Sequence, residues 1–381
     1  MMQPANPSGL PGIPQVGAAT SGYETWLATY LRIVPDDLRA KHEIMQSSAF
    51  RFLRGTFYRW AQLWPEVCAD ENDAPQVLAV GDLHIDNFGT WRDSEGRLVW
   101  GINDFDEAER MPYTIDLVRL AASAHFAIDA GGIAIDQRDA CGRILTGYRE
   151  CLEAGGEPYV LGERHGWLRG IAGSALRDPV AFWKKLESLP EFEGPVPKEA
   201  RRGMERMLPD RHLPYRISHR IAGIGSLGRE RLVAVAEYSG AKICREAKAL
   251  APSAWCWATG ADEDRIQYQD ALDCSVRALD PFVRLKGAWI VRRLAPDCSR
   301  VELASLPKEK DESRLLRAMG WEAANVHVGS KRTRAILKDL SRRPAHWLHS
   351  AAARMCKATT ADWTEWAKKR VESRKRRETK A

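Results

Sequence analysis

The sequence predicts a mixed α/β fold with two lobes, one mostly helical and one rich in β-strands. Between Tyr23 and Val67 apolar residues recur every three to four positions, which is typical of amphipathic helices. From Tyr215 the pattern changes to the short β-rich runs "RISHRIA", "RLVAVAEY" and "AKICREA", followed later by "AWIVRRL". Helical spacing returns from Glu312. A chain of 381 residues can build one large two-lobed unit of this kind.

These changes in pattern divide the chain into six segments. We expect a disordered leader rich in Pro, Gly and Ser over 1–22, a helical lobe over 23–155, a connector over 156–212, a β-rich lobe over 213–310, helices completing the first lobe over 311–366, and a basic tail over 367–381. Within the helical lobe, 75–80 and 97–103 are predicted strands joined through the turn "RDSEG".

Composition excludes several classes of protein. The chain has no apolar run of the roughly 20 residues that a membrane span needs, and its first residues lack the features of a signal peptide. The eight cysteines are scattered without a CxxC pair, which argues against a zinc site or a disulfide framework and favours a cytoplasmic location. The 14 tryptophans are spread along the chain, as expected for packing.

The positive charge is concentrated at one end of the chain. The net charge is +6, and Thr364–Ala381 alone contains eight Lys or Arg residues and three Glu. A basic tail can contact phosphates, but a solvated helix end is the commoner outcome. Nucleic acid is therefore not expected as a partner, apart from weak contact by the tail, and no membrane partner is expected.

Polar residues follow the two predicted strands of the helical lobe. The stretch "VLAVGDLHIDNFG" places Asp82 and Asn87 after the first strand, and "INDFDE" places Asp104 and Asp106 after the second. Phosphoryl transfer needs a carboxylate that orients the attacking hydroxyl, together with amide and carboxylate oxygens that hold Mg²⁺. The spacing therefore predicts Asp82 as the catalytic residue and Asn87, Asp104 and Asp106 as metal ligands.

This spacing matches the catalytic loop and metal-binding Asp of protein-kinase-like folds, and "HGDxHxxN … IDFD" is the version seen in aminoglycoside and choline kinases. His84 is expected to brace the loop, and Arg54 to form an ion pair or to contact a phosphate or the acceptor. Two strand-end turns would be the structural alternative. A metallophosphoesterase also begins with a strand and GDxH, but the chain lacks the further GNH and GDxxD blocks of its two-metal site.

A second motif, "IAGIGSLGRERLVAVAEY", contains Gly223, Gly225 and Gly228 in the spacing G-x-G-x-x-G, with Ser226 inside the loop. Because β-type sequence follows it, a strand–loop–strand that covers ATP phosphates is favoured over a dinucleotide fold, and a glycine-rich hairpin remains the alternative. The next strand offers Lys242, Arg245 and Lys248 as the cation for the phosphates. In ordinary kinases this loop precedes the catalytic loop, so the order predicts permuted lobes.

The blocks "FRFLRGTFYRW", "GDLHIDNFG", "INDFDEA", "DLVRLAAS", "GIGSLG", "REAKALAPSA" and "WIVRRL" resemble an uncharacterised bacterial family, domain of unknown function 2252, over roughly Ser47–Trp363. The resemblance implies a kinase-like phosphotransferase whose glycine loop follows its catalytic loop. The family usually has Lys-Glu-Ala where this chain has Arg245-Glu246-Ala247. The resemblance therefore implies Arg245 as the cleft cation in preference to Lys248, although Arg does not simply replace Lys.

The sequence thus predicts a cytoplasmic phosphotransferase that uses ATP and Mg²⁺ to phosphorylate a hydroxyl of an unknown acceptor. The alternative is a nucleotide-binding pseudokinase that acts as an interaction module, which Arg245 would favour. The glycine loop is expected to face Asp82 and Asp104 across one cleft, because a triphosphate must touch both. An acid among Glu263, Asp264 and Asp270 is a candidate partner for the cleft cation.

Overall fold

The computed structural model describes residues 12–162, 164–174, 178–261, 265–298 and 311–378, with the side chains of 172–174 and 370–378 left out. Over these residues the protein is a mixed α/β structure, as predicted. No helix in the described part of the chain is long and apolar enough to cross a membrane.

Five helices begin the helical body: α1 (Val16–Leu27), α2 (Pro35–Gln46), α3 (Ala49–Gly55), α4 (Phe57–Val67) and α5 (Ala69–Asn72). Helix α3 begins where the Ser48 hydroxyl accepts a hydrogen bond from the Arg51 amide, a usual N-cap arrangement. Helix α4 buries Trp60 and Trp64, which fixes the face that it turns to the core.

The prediction of a disordered leader over 1–22 is wrong for residues 16–22, because α1 begins at Val16. Val16 and Ala19 are buried, and the Thr20 hydroxyl lies 2.9 Å from the Tyr58 hydroxyl on α4. Burial against the neighbouring helix therefore outweighs the weak local propensity of "VGAATSG". Residues 1–11 lie outside the described part of the chain.

Two small sheets follow: β1 (Gln76–Ala79) pairs with β4 (Glu109–Pro112), while β2 (Phe88–Arg92), β3 (Leu98–Ile102) and β5 (Tyr159–Val160) form the other. The turn "RDSEG" joins β2 to β3, so the prediction that it joins the first two strands of this region is wrong. Strands β2, β4 and β5 were not predicted. Strands β2 and β4 each follow polar residues of the predicted site, which masked the short strand patterns, and β5 has only two residues.

The second half of the helical body consists of α6 (Thr114–Asp129), α7 (Gln137–Ala154), α13 (Glu312–Val328), α14 (Thr333–Leu340) and α15 (Trp347–Glu378). Helices α7 and α13 pack side by side, and α15 packs against α1, α3, α4 and α6. A buried ion pair between Arg59 Nε and Asp362 Oδ2, 2.6 Å apart, joins α4 to α15. Helices from the first and last parts of the described chain therefore pack together.

The β-rich part is one antiparallel five-stranded sheet. Its strands are β6 (Tyr215–His219), β7 (Arg231–Tyr238), β8 (Ala241–Ala249), β9 (Val283–Lys286) and β10 (Trp289–Leu294), in the order β6-β7-β8-β10-β9. The three strands predicted at "RISHRIA", "RLVAVAEY" and "AKICREA" are confirmed, as is the later strand "AWIVRRL". Strand β9 was missed because it is short and only half buried.

Short helices precede the sheet or lie between its strands in the chain: α8 (Gly166–Ser174), α9 (Pro179–Glu187), α10 (Lys198–Arg206), α11 (Ala254–Thr259) and α12 (Tyr268–Cys274). Of these, α11 packs against α4 of the helical body. Ala200 and Met204 of α10 pack on Ala247 and Ala249 of β8. The predicted connector thus contains helices that help to bury one face of the sheet.

Glu322 on α13 is a buried acid next to β3. Its Oε1 accepts a hydrogen bond of 2.7 Å from Asn325 Nδ2, and Gly101 packs so closely against Oε2 that no Cβ would fit. Burial raises the pKa of Glu322 to about 7, although Arg277 acts in the opposite direction. The folded chain therefore retains, up to about pH 7, a proton that the unfolded chain releases near pH 4.5.

We expect Glu322→Gln to be more stable than the wild type at pH 8 but not at pH 4. The stability difference between the variant and the wild type should change by roughly 3 kcal/mol between these two pH values. Because the pKa is about 7 when folded and near 4.5 when unfolded, the wild type loses stability relative to the variant as pH rises between these values. Urea unfolding at several pH values measures the difference. The exposed Glu153→Gln on α7 is the control and should show little pH-dependent difference; a flat profile for Glu322→Gln would contradict the assignment.

Candidate functional site

Two cavities lie between the helical body and the five-stranded sheet, and they meet at Asp104 and Gly223. The larger cavity, of about 230 Å³, lies against the sheet, α12 and β9. The smaller cavity, of about 40 Å³, lies under the loop between β6 and β7. Together they form one cleft that contains most of the predicted site residues.

The turn that carries Asp82 is held from below by Asp116 on α6. The Asp116 carboxylate accepts hydrogen bonds from the backbone amides of Val80, at 2.7 Å, and Gly81, at 2.8 Å. Its Oδ2 also lies 2.9 Å from His327 Nε2 of α13. A fully buried acid with three hydrogen-bonding partners fixes the turn at the end of β1.

Asp82 forms an ion pair with a buried arginine. Arg119 Nε donates to Asp82 Oδ1 at 2.7 Å, and Arg119 Nη2 also contacts this oxygen. Arg119 is fully buried, and its guanidinium lies over the rings of Phe57 and Trp60. The pair leaves Asp82 Oδ2 on the side of the glycine loop, where it lies 3.4 Å from the position that a Cβ on Gly225 would take.

Asn87 connects the two polar loops. Its Nδ2 donates to the Asp104 carbonyl oxygen at 3.0 Å and to the Asp82 carbonyl oxygen at 3.4 Å. These bonds fix the orientation of the Asn87 amide group, so its Oδ1 lies on the opposite side of that group from Nδ2. That oxygen is buried and has no hydrogen-bond partner in the described part of the chain. A buried, unsatisfied acceptor of this kind is suited to a cation.

Lys248 of β8 brings the sheet to the carboxylates of the helical body. Its Nζ lies 2.9 Å from Asp104 Oδ2 and 2.6 Å from the Asp106 carboxylate, and its side chain is 1% exposed. Burial raises the pKa of Asp106 to about 7, the charge of Asp104 adds to this, and Lys248 opposes it. Two carboxylates thus share one ammonium group.

The expectation that Arg245 is the cation in the cleft is wrong. Side chains alternate along a strand, so Arg245 lies on the opposite face of β8 from Lys248. There Arg245 Nε donates to the Met207 carbonyl at the end of α10, and its guanidinium lies 4.5 Å from the centre of the Phe282 ring. Lys242 shares the face of Lys248 but pairs with Glu187 of α9.

Of the three acids expected as partners of that cation, only Asp270 lies in the described part of the chain. Asp270 forms an ion pair with Arg265, both of them partly exposed. Glu263 and Asp264 lie outside the described residues.

The glycine loop lies across the cleft from Asp82, as the sequence predicted. Gly223 and Gly228 have φ values of +75° and +94°, which other residues rarely adopt. Gly225 packs between the Arg54 carbonyl and Asp82, and its own carbonyl accepts a hydrogen bond of 3.2 Å from Lys41 Nζ. Ser226 Oγ, in the short 3₁₀-helix of the loop, accepts one of 2.6 Å from Arg231 Nη2.

Positive charge dominates the larger cavity. Its lining contains six arginines and three aspartates: Arg220, Arg231, Arg277, Arg284, Arg292, Arg293, Asp104, Asp273 and Asp280. Three of these arginines surround the buried Glu246 of β8, with Arg231 at 3.1 Å and Arg292 at 2.8 Å. Burial acts to raise the pKa of Glu246, but the arginines outweigh it and hold the pKa well below its usual range. This cluster keeps a net positive charge.

The remaining predicted residues brace the cleft. Arg54 Nη1 donates to Asp86 Oδ2 at 2.7 Å in a buried ion pair, and the Asp86 amide donates to His84 Nδ1. His84 is the only histidine among the described residues that line the two cavities.

Arg119 and Lys41 were not predicted as site residues. Arg119 lies in a mostly apolar stretch of α6, "DLVRLAASAHF", where a charge needs a buried partner; that signal was present in the sequence. Lys41 lies in the polar helix "PDDLRAKHEIMQ", where nothing separates it from a surface lysine, yet it is 5% exposed. Burial lowers the pKa of Lys41 to about 8.

Residues 32–163, about a third of the chain, match a family described as "Uncharacterized protein conserved in bacteria (DUF2252)". The match includes Asp82, Asn87, Asp104 and Asp106 and ends before the glycine loop and the five-stranded sheet. The similarity expected beyond residue 163 remains a prediction. No curated protein and no solved structure matched the chain.

We expect Lys248→Ala to lower the free energy of unfolding by about 3–5 kcal/mol, because it leaves two buried carboxylates without their cation. Urea unfolding at neutral pH measures the loss. Lys242→Ala is the matched control, since it removes a lysine from the same face of the same strand. Its ion pair with Glu187 is partly exposed, so the control should lose no more than about 1 kcal/mol. Equal losses would show that the buried pair stabilises no more than a surface one.

Proposed function

We propose that the protein is a kinase-like phosphotransferase that transfers the terminal phosphoryl group of Mg²⁺-ATP to a hydroxyl group of an acceptor. The observation that carries the proposal is the convergence of four features on one cleft. Asp82, the Asn87–Asp104 pair and residues 223–226 of the glycine loop line this cleft, and Lys248 contacts Asp104 at its edge. The segments 82–104 and 223–248 that supply them are more than a hundred residues apart in the chain. Phosphoryl transfer needs such a set in contact with one triphosphate.

The residues fit a magnesium ion. Asn87 Oδ1 is a buried acceptor without a partner among the described residues, and Asp104 and Asp106 line the same small cavity as Asn87. Mg²⁺ prefers oxygen ligands of these types and would neutralise charge on the phosphates. Asn87, Asp104 and Asp106 are therefore proposed to hold it.

The residues also fit a polyphosphate. The arginines of the larger cavity supply planar donors suited to phosphate oxygens. In the glycine loop, Gly223 lies near Arg231 and Gly225 near Asp82. Lys248 stands on the third strand of the five-stranded sheet, and the loop joins the first two strands. Kinases place a glycine loop and a lysine on strands in this arrangement.

In this proposal Asp82 orients the acceptor hydroxyl and accepts its proton. The hydroxyl oxygen forms a bond to the terminal phosphorus while the bond from that phosphorus to the bridging oxygen breaks, and ADP leaves. The ion pair with Arg119 fixes the carboxylate, so Asp82 would act chiefly by positioning. Because the catalytic loop precedes the glycine loop in sequence, the proposed kinase-like fold has its lobes in permuted order.

The Arg119–Asp82 pair also supports a second candidate, a nucleotide-binding module without catalysis, because Arg119 already occupies Asp82 Oδ1 through two contacts. A phosphoesterase is less well supported. Its two-metal site needs several histidines. His84 is the only histidine among the described residues that line the cleft, and it accepts a hydrogen bond from the Asp86 amide of its own loop.

Asp104→Asn should remove the magnesium-dependent part of nucleotide binding. The wild type is expected to gain more thermal stability from ATP with Mg²⁺ than from ATP with EDTA, and the variant should bind Mg²⁺-ATP at least about tenfold more weakly. Arg245→Ala, on the opposite face of β8, is the control and should keep the wild-type shift. Equal stabilisation of the wild type by ATP in Mg²⁺ and in EDTA would exclude the magnesium site.

Asp82→Asn distinguishes the enzyme from the binding module. It should keep Mg²⁺-ATP binding and lower ATP turnover by about 100-fold or more, measured with and without a metabolite extract as a source of acceptor. Asp93→Asn, in the turn between β2 and β3, lies outside the lining of both cavities and should turn over as the wild type does. Equal rates for Asp82→Asn and the wild type would refute catalysis at Asp82. Nucleotide binding without turnover in any extract would favour the module.

A further inference from the structure

We propose that His125, Cys141 and His349 form a binding site for a zinc ion, separate from the proposed nucleotide cleft. The three residues lie on α6, α7 and α15, where these helices meet. One ligand atom from each lies within 4.8 Å of the other two. The scattered cysteines were the reason for expecting no zinc site from the sequence. A site built from three helices, however, leaves no short Cys or His spacing in the sequence.

The distances suit tetrahedral coordination. His125 Nε2 lies 3.3 Å from Cys141 Sγ. Bonds of about 2.05 Å to nitrogen and 2.3 Å to sulfur place two ligands of a tetrahedral zinc ion about 3.6 Å apart. The rings of His125 and His349 are inclined at 56°, with their centres 5.2 Å apart, so both edges can turn toward one ion.

The surroundings are those of a prepared ligand set. His125 and Cys141 are 1% and 3% exposed, and the backbone of Gln137 hydrogen-bonds the His125 ring, as a supporting group does for a metal-binding imidazole. His349 is half-buried, which gives an ion a path from solvent. Its Nδ1 is a buried atom without a hydrogen-bond partner in the described part of the chain.

The chemistry selects the class of metal. Imidazole nitrogen and thiolate sulfur favour Zn²⁺ over Mg²⁺, which prefers oxygen. On binding, the Cys141 thiol loses its proton to solvent as the zinc–sulfur bond forms. Three protein ligands leave a fourth position for water, on the side of the half-buried His349. The ion would tie the C-terminal helix α15 to α6, the helix that also carries Arg119.

The test uses the full-length, tag-free protein, stripped with a chelator and titrated with Zn²⁺ in competition with a chromophoric chelator. Excess Mg²⁺ is present to occupy the carboxylates of the cleft. The wild type should bind one Zn²⁺ per chain, and Cys141→Ser and His349→Ala should bind it about 100-fold more weakly or worse. Replacing Zn²⁺ with Co²⁺ should give a thiolate-to-cobalt charge-transfer band that Cys141→Ser lacks.

Cys151→Ser is the matched control, because it removes another buried thiol from α7, and it should bind Zn²⁺ as the wild type does. His349→Ala changes a half-buried residue, so it tests the site even where Cys141→Ser fails to fold, and circular dichroism monitors folding. Failure of the wild type to bind one Zn²⁺ would overturn the proposal and leave a packed histidine–thiol contact. Unchanged affinity in His349→Ala, or a cobalt band that persists in Cys141→Ser, would also overturn it.

Discussion

The contact between Lys248 and the two carboxylates of Asp104 and Asp106 is the interaction on which the rest of the site depends. It joins a strand of the sheet to a loop of the helical body that lies more than 140 residues earlier in the chain. Burying three charged groups carries a desolvation penalty, which is offset only if the three groups remain in contact. The sheet is therefore held at the distance that brings the glycine loop over Asp82 and leaves a cleft between them.

The charges around this contact are arranged by strand alternation. On one face of β8, Glu246 forms ion pairs with three arginines and Lys248 forms ion pairs with the two aspartates. On the other face, Ala247 and Ala249 pack under α10. One strand therefore carries both the anion that concentrates the arginines and the cation that meets the carboxylates. A shift of one residue in its register would exchange these charges for the alanines.

Much of this arrangement could be predicted from sequence, but not all of it. The spacing of Asp82, Asn87 and Asp104 marked the polar loops, and the run "AKICREAKA" marked β8. Alternation alone could have rejected Arg245, because it shares its face with the apolar Ile243, Ala247 and Ala249. Arg119's partner and the burial of Lys41 depend on which helices meet in three dimensions, and local pattern carries no information about that. The same limit concealed the contact of His125 with Cys141.

The buried Arg59–Asp362 pair has a consequence for how the chain reaches its folded state. Helix α4 emerges early during synthesis, yet its ionic partner and the packing surface of α15 come some three hundred residues later. The N-terminal helices therefore cannot complete their core while the rest of the chain is being made. Such distant contacts predict slow folding, with exposed apolar surface on the unfinished chain and a need for protection by chaperones until α15 docks.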